Sequence, residues 1–214
     1  MAEIRRPEKF RVLIIGRANA GKTTILRAVC GAEEEPDVYD QNGRKVRSSA
    51  TLSRGEHNIE CSLVFPSNTG FVFHDSRGFE SGAVEELELV RKFIREKASL
   101  GSMKDQLHAI WYCFSTDSNR FMTAADKEFF NTIDTGTVPV IAIFTKFDAC
   151  DSVAFSALNA QGVPFEEAQK RAPELAKAQF DHEILPLIAE LAHPPRAVVC
   201  LRSKAQFWMP DVTC

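Results

Sequence analysis

The sequence has no apolar run long enough to cross a bilayer, and its opening, MAEIRRPEKF, lacks an apolar stretch of signal-peptide length. Alanine rather than glycine follows the first methionine, and Cys214 stands last rather than fourth from the end, so neither an N-myristoyl site nor a prenylation box is encoded. These absences predict a cytoplasmic protein without a membrane anchor. The six cysteines, at positions 30, 61, 113, 150, 200 and 214, form no CxxC pair and have no histidine at metal-ligand spacing. A structural zinc module is therefore excluded, and the thiols are expected to be reduced and mostly buried. Excess charge of one sign is also lacking: 26 lysines and arginines face 29 aspartates and glutamates, for a net charge of -3. That balance disfavours a nucleic-acid partner. Internal repeats and low-complexity tracts are absent.

What is present is an ordinary globular composition, 44% hydrophobic and 26% charged, in a chain long enough for one substantial core. A single domain over residues 1–214 is expected, with its core at 10–205 and a tail at 206–214. Residues 10–15 (FRVLII) read as a strand ending at Gly16, followed by a helix over 22–29 that stops at Gly31. Residues 32–55, with Glu33, Glu34, Glu35, Pro36 and Asn42-Gly43, read as a long polar loop. A hairpin is expected from 58–65 (NIECSLVF) and 71–74 (FVFH). Leu87, Val90, Phe93, Ile94 and Ala98 recur at helical spacing. Strands at 107–114, 138–144 and 196–201 alternate with helices at 123–133, capped by Thr123, and at 165–191, where Pro173 and Pro186 should break or kink the chain. The alternation predicts an α/β fold of three layers, in which a mostly parallel six-stranded sheet with one antiparallel edge strand carries helices on both faces. Ligands of such sheets bind at the carboxyl ends of the strands.

Three short motifs fall at those ends. Gly16-Arg17-Ala18-Asn19-Ala20-Gly21-Lys22-Thr23 fits GxxxxGK[ST] between a strand and a helix. Glycines let backbone N–H groups wrap phosphates, the helix start adds positive potential, Lys22 reaches the outer phosphates, and the Thr23 hydroxyl is placed to ligate Mg²⁺. Asp75-Ser76-Arg77-Gly78 fits DxxG, whose aspartate holds the metal through water and whose glycine N–H senses the terminal phosphate. Thr145-Lys146-Phe147-Asp148 follows the apolar strand VPVIAIF.

The last motif resembles the [NT]KxD guanine box of G proteins, with threonine in place of the commoner asparagine. In that resemblance Asp148 accepts hydrogen bonds from the guanine N1–H and amine, a donor pair that adenine lacks, and Lys146 lies along the base. Ser203-Lys204-Ala205 resembles the SAK-type turn that supplies the last base contact. Taken together the motifs resemble translation-factor-related P-loop GTPases. GRANAGKT is especially similar to the phosphate loop of Era-like and TrmE-like members, and SRGEHNIE with GFVFHDSRGFE is similar to G-domain proteins common in fungi. The implied nucleotide set is Gly16, Asn19, Ala20, Gly21, Lys22, Thr23, Thr24, Thr145, Lys146, Asp148, Ser203 and Lys204. The implied metal set is Thr23, Asp75 and a switch hydroxyl, for which Thr51 stands first and Ser53 second, with Ser48 and Ser49 as further candidates. Lys22, Thr51 and Gly78 are the implied catalytic residues.

The resemblance implies a GTP/GDP switch with slow, Mg²⁺-dependent hydrolysis of GTP. Phe79 occupies the place of the water-orienting glutamine and cannot take its role. His74, Arg77 and Glu80 are the candidate replacements within the chain, and Asn19 matches the ligand that K⁺-dependent members use. The alternative is a nucleotide-gated interaction or oligomerisation module with negligible turnover, whereas a P-loop kinase or ATPase is disfavoured by TKFD. Only RSKAQFWMPDVTC follows RAVVCL, too little for the amphipathic helix that closes a complete domain of this type. A sheet face, or the groove beside the first helix, is therefore expected to be partly bare. The Phe207-Trp208-Met209 tail, a second copy of the chain or further sequence could cover it. The expected partners are GTP or GDP, with a homodimer or an effector or activating protein.

Overall fold

The computed structural model describes residues 8–46, 58–76, 84–98, 105–117 and 122–202. Strands within these residues are β1 (Phe10–Gly16), β2 (Asp37–Tyr39), β3 (Lys45–Val46), β4 (Ser62–Phe65), β5 (Asn68–Asp75), β6 (Ala109–Ser115), β7 (Val140–Thr145) and β8 (Ala197–Cys200). The helices are α1 (Lys22–Cys30), α2 (Val84–Ala98), α3 (Ala124–Thr132), α4 (Asp148–Ala160), α5 (Phe165–Glu183) and α6 (Leu185–Ala189). One sheet runs β3-β2-β4-β5-β1-β6-β7-β8. The five strands from β5 to β8 in that order are mutually parallel, and β4, β2 and β3 continue the sheet antiparallel.

β1 is central because its sequence suits no other place. Val12, Leu13, Ile14 and Ile15 are all fully buried, so the strand needs apolar cover on both faces. Two cores supply it. Leu13 and Ile15 point into a large cluster to which α2, α3, α4, α5 and α6 all contribute, among them Phe93, Phe129, Phe130, Leu158, Phe180 and Ile188. Val12 and Ile14 point into a smaller one, where Ile25, Leu26 and Cys30 of α1 are the only helix residues among those described. Phe71, Trp111 and Ile141 sit at the border of this smaller core and are only half-buried. The expected bareness beside the first helix is thus visible among the described residues.

The three-layer, mostly parallel fold is as expected, but the sheet has eight strands rather than six. The additional strands, β2 and β3, arise inside the segment read as a polar loop. Asp40 closes their turn by accepting at Oδ1 from the N–H groups of Asn42 and Arg44, both at 2.9 Å, and Gly43 takes a φ of 73°. Three and two residues are too short for a period to register, and β4 provides the ladder that makes β2 a strand. Helix α4, unforeseen in the sequence, follows Asp148 directly. Pro173 does not break α5. Ala168, Ala172, Ala176 and Phe180 recur every fourth residue on its buried side, and this packing outweighs the lost backbone bond. Pro186 falls in the first turn of α6, where a missing N–H costs nothing. Thr123 caps α3 as expected, in a reciprocal pair with Asp126. Cys30, Cys61, Cys113, Cys150 and Cys200 are all free thiols, and burial pushes Cys113 up to about 12.

His74, next to the end of β5, is buried at 2% exposure. Its Nε2 pairs with the Arg11 guanidinium at 2.8 Å, and its Nδ1 pairs with the Ile59 carbonyl at 2.8 Å, which calls for the neutral tautomer protonated at Nδ1. This position makes it a structural tie rather than a replacement for the glutamine. Burial first, then repulsion by Arg11 and more weakly by Lys97, lower its pKa to about 4, although the backbone at Ile59 and Cys61 favours the charged ring. The unfolded ring titrates near 6.5. Between pH 6.5 and 4 the unfolded chain therefore binds the additional proton, and stability falls as pH falls, by about 3 kcal/mol over the window. Urea unfolding across that range should show His74→Asn with a slope against pH reduced by about one proton. An unchanged slope would assign the acid sensitivity to other groups.

Candidate functional site

Parallel pairing aligns the strand ends that carry the motifs. Ile14 lies opposite Asp75, Gly16 opposite Cys113, and Ser115 opposite Thr145. At the end of β1 the chain turns immediately into the phosphate loop. Gly16 has a φ of 154°, and a Cβ there would stand 2.7 Å from the Cys113 carbonyl oxygen, so only glycine lets the loop lie against β6. Asn19 and Gly21 also take positive φ, 61° and 76°, which turns successive backbone N–H groups toward a common point. Gly21 caps α1 with no side-chain hydrogen bond, and the first turn holds no acidic residue. The positive end of the helix is left to an anion.

Lys22 folds back over this loop. Its Nζ donates to the carbonyls of Gly16 at 2.7 Å and Arg17 at 3.3 Å, and lies 3.9 Å from Asp75 Oδ1. Thr23 and Thr24 are exposed in the first turn of α1. The loop is tied to α3 by Arg17, 4.0 Å from the buried Asp126, which also accepts a 2.6 Å hydrogen bond from Tyr112. Thr23 and Asp75 suit a magnesium ion, since that cation is held by one or two protein oxygens together with substrate phosphates.

The Thr-Lys-Phe-Asp turn meets the phosphate loop through Thr145. Its buried hydroxyl lies 3.1 Å from both the Ala20 and Phe114 carbonyls, and Gly21 packs against its side chain. Lys146 adopts a left-handed φ of 54°. Thr116 holds it there by donating to the Lys146 carbonyl at 2.7 Å and the Thr145 carbonyl at 3.0 Å, and Asp117 accepts from Lys146 Nζ at 2.7 Å. That hydrogen bond, followed by one from Ser115, holds the Asp117 carboxyl below its ordinary range. Asp148 begins α4, partly buried.

The structure thus brings Gly16, Asn19, Ala20, Gly21, Lys22, Thr23, Thr24, Asp75, Thr145, Lys146 and Asp148 to one edge of the sheet. Thr51, Ser48, Ser49, Ser53, Arg77, Gly78, Phe79, Glu80, Ser203, Lys204 and Ala205 lie outside the described residues, as does the 206–214 tail. Sequence reasoning missed Thr116, Asp117 and Asp126. Thr116 and Asp117 could have been found by position, because they follow the strand whose carboxyl end lies between the phosphate loop and the base turn. Asp126 carried only a helix-cap signal.

A phosphate loop after β1, an aspartate closing β5 and a TKxD turn after β7, all on one sheet edge, define a P-loop GTP-binding domain. Residues 11–146 match the family described as 50S ribosome-binding GTPase, and the chain belongs to that family. It is similar to GTPase Der of Lawsonia intracellularis (strain PHE/MN1-00), with 27% identity over 139 residues that make up 65% of this chain and 27% of that protein. The chain therefore spans little more than a quarter of that relative's length. Among solved structures, a GDP-bound mutant of S. thermophilus NFeoB aligns over 86% of this chain and 65% of its own, at 15% identity and a TM-score of 0.43. A mutation variant of SsGBP aligns over 91% of this chain and 49% of its own, at 13% identity and a TM-score of 0.42.

Replacing Thr145 by valine keeps the volume and removes the hydroxyl that joins the two motifs. The expected cost is about 1–2 kcal/mol of unfolding free energy in urea, with weaker GDP binding in a titration of the same variant. Unaltered values for both would remove Thr145 as the link.

Proposed function

We propose that the domain is a GTP/GDP switch that hydrolyses GTP slowly with Mg²⁺. The observation that carries this reading is the junction of Lys22, Asp75 and Thr145 around one loop, with the TKFD turn beside it. Backbone N–H groups from Gly16 to Thr23 bind the phosphates, and Lys22 exchanges its carbonyl partners for phosphate oxygens. Thr23, Asp75 through water, and the switch hydroxyl of Thr51 or Ser53 hold the magnesium ion. When bound, that ion neutralises charge on the β- and γ-phosphates. The Gly78 N–H senses the terminal phosphate, and Asp148 with Lys146 selects guanine, with Ser203 and Lys204 completing the base contact.

Hydrolysis is slow because Phe79 cannot orient water, and Asn19 ligates K⁺ to supply part of the missing stabilisation. A second reading, a nucleotide-gated association module without turnover, is favoured by the half-buried Phe71, Trp111 and Ile141 beside the lone helix of the smaller core among the described residues. A second copy of the chain would be the partner.

Asp148→Asn is expected to lower GDP affinity by about tenfold or more and to favour xanthosine diphosphate, whose carbonyl replaces the guanine amine. Retained guanine preference in a nucleotide titration would remove Asp148 from the base site. Single-turnover GTP hydrolysis should run faster in K⁺ than in Na⁺ and lose that difference in Asn19→Ala. Equal rates in the two salts would dismiss the cation. Bound GTP left intact, in a protein that doubles its mass with a GTP analogue, would favour the second reading.

A further inference from the structure

The turn that reads guanine is gripped from β8 as well as from β6. Phe147, between Lys146 and Asp148, donates its backbone N–H to the Leu201 carbonyl at 2.8 Å, and Leu201 in turn donates to the Phe144 carbonyl at 2.7 Å. The next residue, Arg202, lays its guanidinium 5.1 Å from the centre of the Phe147 ring, which is fully buried. The same guanidinium grips Asp151 with two bonds, Nε to Oδ2 at 2.7 Å and an Nη to Oδ1 at 2.9 Å. Asp151 stands one helical turn after Asp148 in α4, and its own N–H reaches the Phe147 carbonyl at 3.4 Å.

We propose that the Arg202–Asp151 pair is a positioning element for guanine selection, a clamp that holds Lys146 and Asp148 at the orientation that reads the base. This rests on the guanine reading of the TKFD turn.

Three features distinguish the pair from an ordinary surface bridge, which contributes little. The bonds are a planar fork, a geometry that fixes direction as well as distance. The cation also stacks on an aromatic ring, so it is oriented on two sides. The ring belongs to the recognition turn itself, and the carboxylate belongs to the helix that Asp148 begins. Lys146 gives the clamp something to resist: a non-glycine residue at positive φ relaxes unless its surroundings over-determine it. Thr116 and Asp117 hold one flank, and Arg202 with the Leu201 carbonyl holds the other. Loss of the fork lets Phe147 and the first turn of α4 move together, which turns Asp148 away from the base edge and leaves the phosphate loop alone.

The test compares dissociation of GDP with that of inosine diphosphate, which lacks the amine and so offers Asp148 one donor instead of two. In the full chain, Arg202→Gln should raise the GDP dissociation rate about five- to tenfold and that of inosine diphosphate much less, narrowing the ratio between the two. Asp151→Asn should act alike, and the double variant should add little to either. Arg202→Lys, which keeps the charge and loses the fork, should restore only part of the ratio. Equal acceleration of both nucleotides in step with a fall in Tm would make the pair a structural brace and overturn the proposal, as would unchanged rates. An Asp148→Asn control with an unaltered ratio would overturn the base reading itself. A normal response of that control beside an inert Arg202→Gln would overturn the clamp alone.

Discussion

The parallel pairing of β1 with β5 on one side and β6 on the other is the constraint on which everything else rests. β1 carries four consecutive fully buried apolar residues, so it must lie between two strands and between two layers. Once it does, its end and the ends of its neighbours share one edge. The phosphate loop, Asp75 and the β6 residues that support the base turn arrive there without any further folding decision. Register carries the chemistry: a slip of one residue would invert which side chains face each core and would separate Gly16 from the Cys113 backbone it lies against.

Around that edge, the two halves of the nucleotide site are joined by few atoms. Thr145 connects the base turn to the phosphate loop, and Arg17 through Asp126 connects the loop to α3 and Tyr112. The short, buried Thr145 hydroxyl cannot reach far, so its contact with Ala20 requires the loop and β7 to approach closely. The absence of a side chain at Gly16 permits this approach on the β6 side. Backbone strain at Lys146 and Asn19 gathers at the same place, as it does where a rigid scaffold holds a binding geometry that an isolated segment would abandon.

The layers on either side are unequal. Five helices feed the core that faces Leu13 and Ile15, whereas α1 is the only helix among the described residues in the core that faces Val12 and Ile14. Aromatic stacking partly compensates on the thin side, where Phe71 and Phe73 are parallel at 5.7 Å and Trp111 leans on Phe73 at 5.9 Å. Large flat side chains can cover a strand surface that no helix covers, at the cost of leaving their own edges near water.

The local signals in the sequence determined the phosphate loop, the DxxG aspartate, the TKFD turn, the central strands and the cap at Thr123. Each is a short-range requirement, for glycine where φ is positive, for a carboxylate where a strand ends, or for unbroken apolar residues where both faces are covered. The tertiary structure decided what depends on a neighbour distant in sequence. β2 and β3 became strands only because β4 offered an edge, and α5 ran through Pro173 because its alanine stripe packs on the larger core. His74 was withdrawn from the chemistry by Arg11 and Ile59. Asp117, Asp126, Asp151 and Arg202 are ordinary charged residues in sequence, and none belongs to a motif. Their roles come from strand ends and helix turns being brought within hydrogen-bond reach, and a distance between residues 151 and 202 is a property that no pattern along the chain contains.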